Sequence, residues 1–186
     1  MKRFSEKLYL SLRMPTEEEA LSDQQRIRLA LDTLGYAPVT IPLPVLRQLY
    51  PLCRSCGFDI TATLVRREAD WLLTAVEPGD TTGSHYGLAV DYGSTTILME
   101  LVDLNSGAVI DRVRTVNGQT TYGTDILTRI TYAMEDPAHA EDLQRATAAT
   151  FNRLLEELTE RSGIDAKNLP VMIVSGNTTT IDCTHC

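Results

Sequence analysis

One short run concentrates the residue types best suited to chemistry: Asp91, Gly93, Ser94, Thr95 and Thr96, set between the apolar stretches Gly87–Val90 and Ile97–Val102. Chemistry with phosphate asks for this combination. A glycine lets the backbone come close to a ligand's oxygens. Consecutive N–H groups in a tight turn make an anion-binding concavity, and hydroxyls add further donors. A carboxylate at a strand end suits a magnesium-bound water, because magnesium keeps several waters and takes few protein carboxylates. The Gly-Lys-Ser/Thr ending of the other common phosphate loop, which leads from strand to helix, is absent, and here strand leads to strand. The alternative reading of the same residues is an ordinary hairpin with a Gly-Ser turn.

The segments around this run predict how it is carried. Asn105-Ser106-Gly107 is a hairpin turn signal, and Val109–Val116 gives a third strand, so three antiparallel strands bear the loop. Residues 123–134 read as a short helix with Ile126, Leu127, Ile130 and Met134 on one side. Asp136-Pro137 opens a longer one, striped by Leu143, Ala146, Thr147, Thr150, Phe151, Leu154 and Leu158 and stopped at Gly163. The apolar run from Pro170 to Val174 suits a strand inside a mixed sheet.

The first half reads as a small α+β domain. A strand is expected over 7–12, and Ser22 with Gln25 makes a capping box ahead of a helix that ends near Gly35. Pro42-Leu43-Pro44 opens a second helix, with a kink or early break expected at Pro51. Phe58, Ile60, Ala62 and Leu64 alternate as in a half-buried strand, Trp71 begins its partner, and Trp71 itself is expected in the small domain's core. Glu77–Ser84 is made of turn formers, so the organisation expected is a domain over 1–76, a linker over 77–86 and a second domain over 87–186.

Bulk properties exclude several classes. A net charge of −8 over 186 residues argues against nucleic-acid partners, which select a basic face, and against a basic membrane-surface patch. No apolar stretch approaches bilayer length. Lys2, Arg3, Glu6 and Lys7 interrupt the apolar middle that a signal peptide needs. A cytoplasmic location with reduced cysteines is the resulting expectation.

Three antiparallel strands joined by Asp-x-Gly-Ser/Thr-Thr, followed by helix and buried strand, resemble the opening of the ribonuclease-H-like fold of actin, sugar kinases and heat-shock ATPases. The resemblance narrows on three ordered pieces: Gly87-Leu88-Ala89-Val90-Asp91-Tyr92-Gly93-Ser94-Thr95-Thr96, the run from Tyr122-Gly123-Thr124-Asp125 to Ile130, and Val174-Ser175-Gly176-Asn177-Thr178-Thr179. Together they look like the reductive activators of corrinoid proteins, and the first half through Trp71 and Glu77-Pro78-Gly79-Asp80 is similar to that family's middle domain. The α/β class and an actin-like ATPase domain represented by its first part are what the resemblance implies. So are ATP and magnesium as ligands, a corrinoid protein as partner, and the return of its cobalt to the active reduced state. On this view Asp91 holds the metal. Gly93, Ser94, Thr95 and Thr96 contact phosphate, and Gly176, Asn177 and Thr178 line the nucleotide cleft or, alternatively, form a plain strand-to-helix turn.

Two family features are not found in these 186 residues: a cysteine set of ferredoxin spacing for the iron–sulfur cluster, and a second Asp-x-Gly loop after Asp91. The expectation is therefore a piece of the full architecture, without ATP turnover alone, since phosphoryl transfer needs groups from both sides. Uncovered faces would promote dimerisation. A non-catalytic docking module, or part of a small-molecule kinase of the same superfold, stand as alternatives. Asp125 reads as a helix-start acid rather than a cleft residue. Cys53 and Cys56 read as small hydrophobes on a helix stripe, in preference to a joint zinc site with Cys183 and Cys186. That last pair, flanking His185, reads equally as a weak metal site or an inert tail.

Overall fold

The structure, a computed structural model, describes residues 3–17, 19 and 21–176. Asn177, Thr178, Cys183, His185 and Cys186, singled out above, lie outside the described residues. The chain divides into two compact units, Met1–His85 and Tyr86–Cys186.

In the first unit a four-stranded sheet has the order β1-β3-β4-β2, with β1 Ser5–Ser11, β2 Val39–Thr40, β3 Asp59–Arg66 and β4 Trp71–Pro78. Two helices, α1 (Asp23–Thr33) and α2 (Leu43–Ser55), pack with it. The capping box forms as expected: the Ser22 hydroxyl accepts from the Gln25 N–H at 3.2 Å, and Gln25 Oε1 accepts from the Ser22 N–H at 2.8 Å. Past the helix end Gly35 takes φ 85°, a left-handed turn that favours glycine. The break expected at Pro51 does not occur, and α2 runs on to Ser55. Pro51 and Arg47, whose carbonyl loses its intrahelical donor, are both exposed, so the proline removes a bond on the solvent side of the helix and not in the core.

Ile27 and Leu31 of α1 and Val45, Leu49 and Cys53 of α2 share one buried core with Leu10, Ile60, Ala62, Leu64 and Leu73 of the sheet. Trp71 packs against this core and meets Tyr36 edge-on at 5.1 Å. Strand β3 is not half-buried: Thr61 and Thr63 are sealed as well as Ile60, Ala62 and Leu64. The reason lies in the segment expected to be a linker. Its first two residues, Glu77 and Pro78, belong to β4. Residues 79–85 then fold back over the polar face of the sheet. The Thr61 hydroxyl donates to the Gly79 carbonyl at 2.6 Å and accepts from the Thr81 N–H at 2.9 Å. Lys7 Nζ reaches Glu77 at 2.6 Å and the Thr81 hydroxyl at 3.4 Å. At the far end buried His85 Nε2 sits 3.0 Å from the Ser5 hydroxyl, which itself donates to the Leu64 carbonyl.

The second unit carries β5 Tyr86–Tyr92, β6 Thr96–Asp103, β7 Val109–Val116 and β8 Met172–Gly176, in the order β7-β6-β5-β8. The first three strands are antiparallel, as the turn signals predict, and β8 lies parallel to β5. Helix α4 (Pro137–Ser162) starts where Asp136 accepts from the Ala138 N–H at 2.8 Å and ends at Gly163, φ 70°. Its Leu154 and Leu158 cover Leu88, Val90, Tyr92, Ile97, Met99 and Leu101 on one face of the sheet.

Two expectations fail here. Helix α3 spans Ile126–Glu135, and of the four apolar residues expected on one side Ile126 and Ile130 are half-buried while two point outward: Leu127 is 71% and Met134 82% exposed. Arg129 takes the inner position, fully buried, with Nε donating to the Gly123 carbonyl at 2.8 Å. Strand β8 lies at the edge of the described sheet rather than inside it. Met172, Ile173 and Val174 are 40%, 51% and 40% exposed. Apolar composition follows what a strand can face, and in this unit nothing described covers β8. Among the described residues no helix is long and apolar enough to cross a membrane.

Candidate functional site

The run Asp91–Thr96 forms the turn between β5 and β6. Along β5, Leu88, Val90 and Tyr92 alternate into the α4-covered core, which puts Asp91 on the opposite face, exposed at the strand's end. Ser94 is half-buried, and Thr95 and Thr96 are exposed. Gly93 donates its N–H to the Thr96 carbonyl at 3.1 Å, closing the turn. A side chain at this position would bring its Cβ within 2.5 Å of that same carbonyl oxygen. Glycine is therefore demanded by the turn itself, and the Gly93 N–H is spent inside it, leaving the following residues as the donors of any anion cradle.

Gly176 pairs with Tyr92 and Ser175 with Asp91 in the parallel β5/β8 register. Two parallel strands thus end side by side at the turn, the edge of an α/β sheet where ligands are bound. The structure brings Asp91, Gly93–Thr96 and Gly176 together.

Sequence reasoning missed Asn117. It is fully buried, its backbone N–H donates to the Thr95 carbonyl at 2.8 Å, and its Nδ2 donates to the Gly93 carbonyl at 3.0 Å. Its Oδ1 accepts from the Gln119 N–H at 3.0 Å, at the start of a 3₁₀ turn over Gly118–Tyr122. The one signal available was an Asn-Gly pair directly after a strand, which reads as a turn and nothing more.

Asp125 is a cap. It accepts from the Thr128 N–H at 3.0 Å and the Thr128 hydroxyl at 2.7 Å, and these bonds hold its carboxyl below the usual carboxylate range. Cys53 is sealed in the first unit's core, where burial above all pushes its thiol up to about 11. It packs as a small hydrophobe among the side chains of that core. Cys56 points its sulfur at the Leu52 carbonyl, 3.0 Å away. Among the described residues no group of three or more potential metal ligands occurs.

Comparison with known proteins agrees with this architecture. A family model described as RACo middle region matches residues 86–184, and one described as RACo linker region matches residues 1–83. The chain belongs to the RACo family, the reductive activators of corrinoid proteins. The unit compared above with a middle domain thus corresponds to the linker region, and the unit bearing the Asp91 turn to the middle region. A corrinoid activation enzyme, RamQ of Eubacterium limosum, is 30% identical over 94 residues, which make up 50% of this chain and 16% of that protein. A solved structure, a reductive activator for corrinoid, iron–sulfur protein, superposes with a TM-score of 0.86 at 27% identity over 98% of this chain and 29% of its own. The chain therefore spans less than a third of the length of either relative.

Proposed function

We propose that this chain is part of an ATP-dependent activator that returns the cobalt of a corrinoid protein to its reduced state, and that the Asp91–Thr96 turn is its first phosphate-binding loop. The carrying observation is an exposed carboxylate at the end of β5, beside a glycine-closed turn and level with the end of parallel β8. The residues present fit a magnesium nucleotide. Asp91 would hold a water of the ion, the Ser94 and Thr95 hydroxyls and the N–H groups beyond Gly93 would take phosphate oxygens, and Gly176 would leave space for the nucleotide at the end of β8. Bound nucleotide supplies a differential affinity between two conformations, which is how ligand binding drives a change in a partner. The partner implied is a corrinoid protein of a methyltransferase system.

The iron–sulfur cluster of the family has no fitting ligand set among the described residues, since their cysteines are Cys53 and Cys56 and such a cluster takes four. No electron step is assigned to this chain. A second reading, a docking module without hydrolysis, is favoured by the outward apolar face of α3 at Leu127 and Met134.

A thermal shift with Mg-ATP separates the two. At a hundred times its dissociation constant a ligand adds roughly 2.7 kcal/mol of stability. The expected result is a rise in melting temperature that disappears in Asp91→Ala. No rise in the wild-type chain, or an equal rise in the variant, counts against the phosphate loop and leaves the docking reading.

A further inference from the structure

We infer that Asn117 is the positioning residue of the phosphate loop, fixing the direction in which its N–H donors point. The inference rests on reading the Asp91–Thr96 turn as a phosphate site and names the device that shapes it. Two carbonyls of the turn, Gly93 and Thr95, are both held by Asn117, the first by its side-chain amide and the second by its backbone N–H. In a planar trans peptide the C=O and the next residue's N–H point in opposite directions. Drawing the Gly93 and Thr95 carbonyls toward Asn117 therefore turns the Ser94 and Thr96 N–H groups away from it. An acceptor-only side chain at 117 could not do this, and a cationic one would do it only by burying a charge. The amide orientation follows from its partners, with Nδ2 facing a carbonyl and Oδ1 facing the Gln119 N–H.

Asn117 is itself anchored. Its carbonyl accepts from the Thr120 N–H at 2.9 Å and hydroxyl at 2.8 Å. Next to it Gly118 lies so close to α4 that a Cβ there would stand 2.6 Å from Thr150 Oγ1. Gln119 Nε2 then donates to Thr147 Oγ1 at 3.0 Å, the hydroxyl that also lies 2.8 Å from the Tyr92 hydroxyl. Tyr92 is the residue just before Gly93, so the chain of bonds closes on itself: turn, Asn117, Gln119, Thr147, Tyr92, turn. Apart from exposed Thr95, its bonded residues are buried or half-buried, where hydrogen bonds are strong and their loss is costly. Such a closed circuit gives a donor array that costs little to order on binding, the general gain of preorganisation.

The test uses Asn117→Asp, which keeps the Oδ1 acceptor and removes the donor to Gly93, beside Leu158→Ala, which destabilises the same unit from the far side of its core. At pH 8 Asn117→Asp is expected to weaken Mg-ATP binding at least tenfold relative to wild type. The ratio should narrow as the pH falls and the new carboxyl gains a proton to donate. Leu158→Ala should lower the melting temperature and leave the affinity unchanged. Without nucleotide, amide exchange at Gly93 and Asn117 should quicken in Asn117→Asp while α4 amides keep their protection. Asn117→Ser, a donor too short to reach Gly93, serves if the aspartate prevents folding, and should weaken binding at every pH. Wild-type affinity in the 117 variants, a pH-independent ratio in Asn117→Asp, or an equal loss in Leu158→Ala overturns the inference. If the wild-type chain does not bind Mg-ATP, the phosphate reading falls by itself. Exchange at Gly93 and Asn117 then decides: unchanged rates overturn the positioning role, and faster rates uphold it.

Discussion

In the Met1–His85 unit the polar face of the sheet is roofed by the chain's own residues 79–85. In the Tyr86–Cys186 unit the face opposite α4 carries Asp91 in the open, and β8 stands with its apolar side chains exposed. Both units build a four-stranded sheet with helices on one side, so the difference lies in what happens to the other side. The first unit spends a polar strap on it and buries β3 from both directions. The second leaves it available to a nucleotide, a partner or further chain.

The largest expected effect tests that contrast directly. Leu64→Ala, at the centre of the first unit, should cost about 2–5 kcal/mol. Ile173→Ala on β8 should stay within about 0.5 kcal/mol, as surface changes do. Urea unfolding of each variant measures both. A cost at Ile173 close to that at Leu64 would mean that β8 is covered in solution and that the openness of the second unit is not a property of the free chain.

Next in size is the strap. Thr61→Val keeps shape but removes the hydroxyl that joins Gly79 and Thr81 to β3. It leaves a half-buried N–H and a half-buried carbonyl without their partner, worth about 1 kcal/mol. Amide exchange at Thr81 should quicken together with the loss of stability. Unchanged exchange at Thr81 would show that residues 79–85 are held by the Lys7–Glu77 and Ser5–His85 contacts instead.

Much of this organisation was legible beforehand, where the signal is local. Ser22 with Gln25, Asp136-Pro137, Gly163 and the Asn105–Gly107 turn each fix a chain direction within a few residues, and each formed as read. The Asp91–Thr96 turn was legible for the same reason. What escaped depends on distant partners. Residues 79–85 have linker composition, and only Thr61 and Ser5, far away in sequence, make them a roof. Arg129 took the inside of α3 because the Gly123 carbonyl awaited a donor there, against the pull of Leu127 and Met134. Asn117 carries no mark that separates a loop anchor from a turn residue. That Gly93 must be glycine was legible as well, but the close approach of the Thr96 carbonyl, which by itself excludes a side chain there, shows only in the folded turn.

The smallest expected effect concerns acid, and it again divides the units. Strand β2 pairs with β4 through Val39–Trp71 and Thr40–Leu72 alone. Asp70 supports this short edge: its carboxylate accepts from Arg67 at 2.7 and 2.5 Å and from the Thr40 hydroxyl at 2.5 Å. Those bonds, Arg67 first, hold its pKa at about 2. Because the folded value lies below the unfolded one, the unfolded chain takes up the proton first. The stabilisation is complete above the unfolded value near 4 and fades as the pH falls toward 2. Asp125 is depressed in the same direction by Thr128, but it caps the first turn of α3 and joins no strands. Lowering the pH from 5 to 2 should therefore quicken exchange at Trp71, whose N–H donates to Pro38, before it disturbs the β5/β6 amides. Asp70→Asn should show the faster Trp71 exchange already at pH 5 and a flatter change below it. If the variant keeps the wild-type acid dependence at Trp71, the edge of the first unit is held by its backbone pairing alone, and the Asp70 bridge only decorates it.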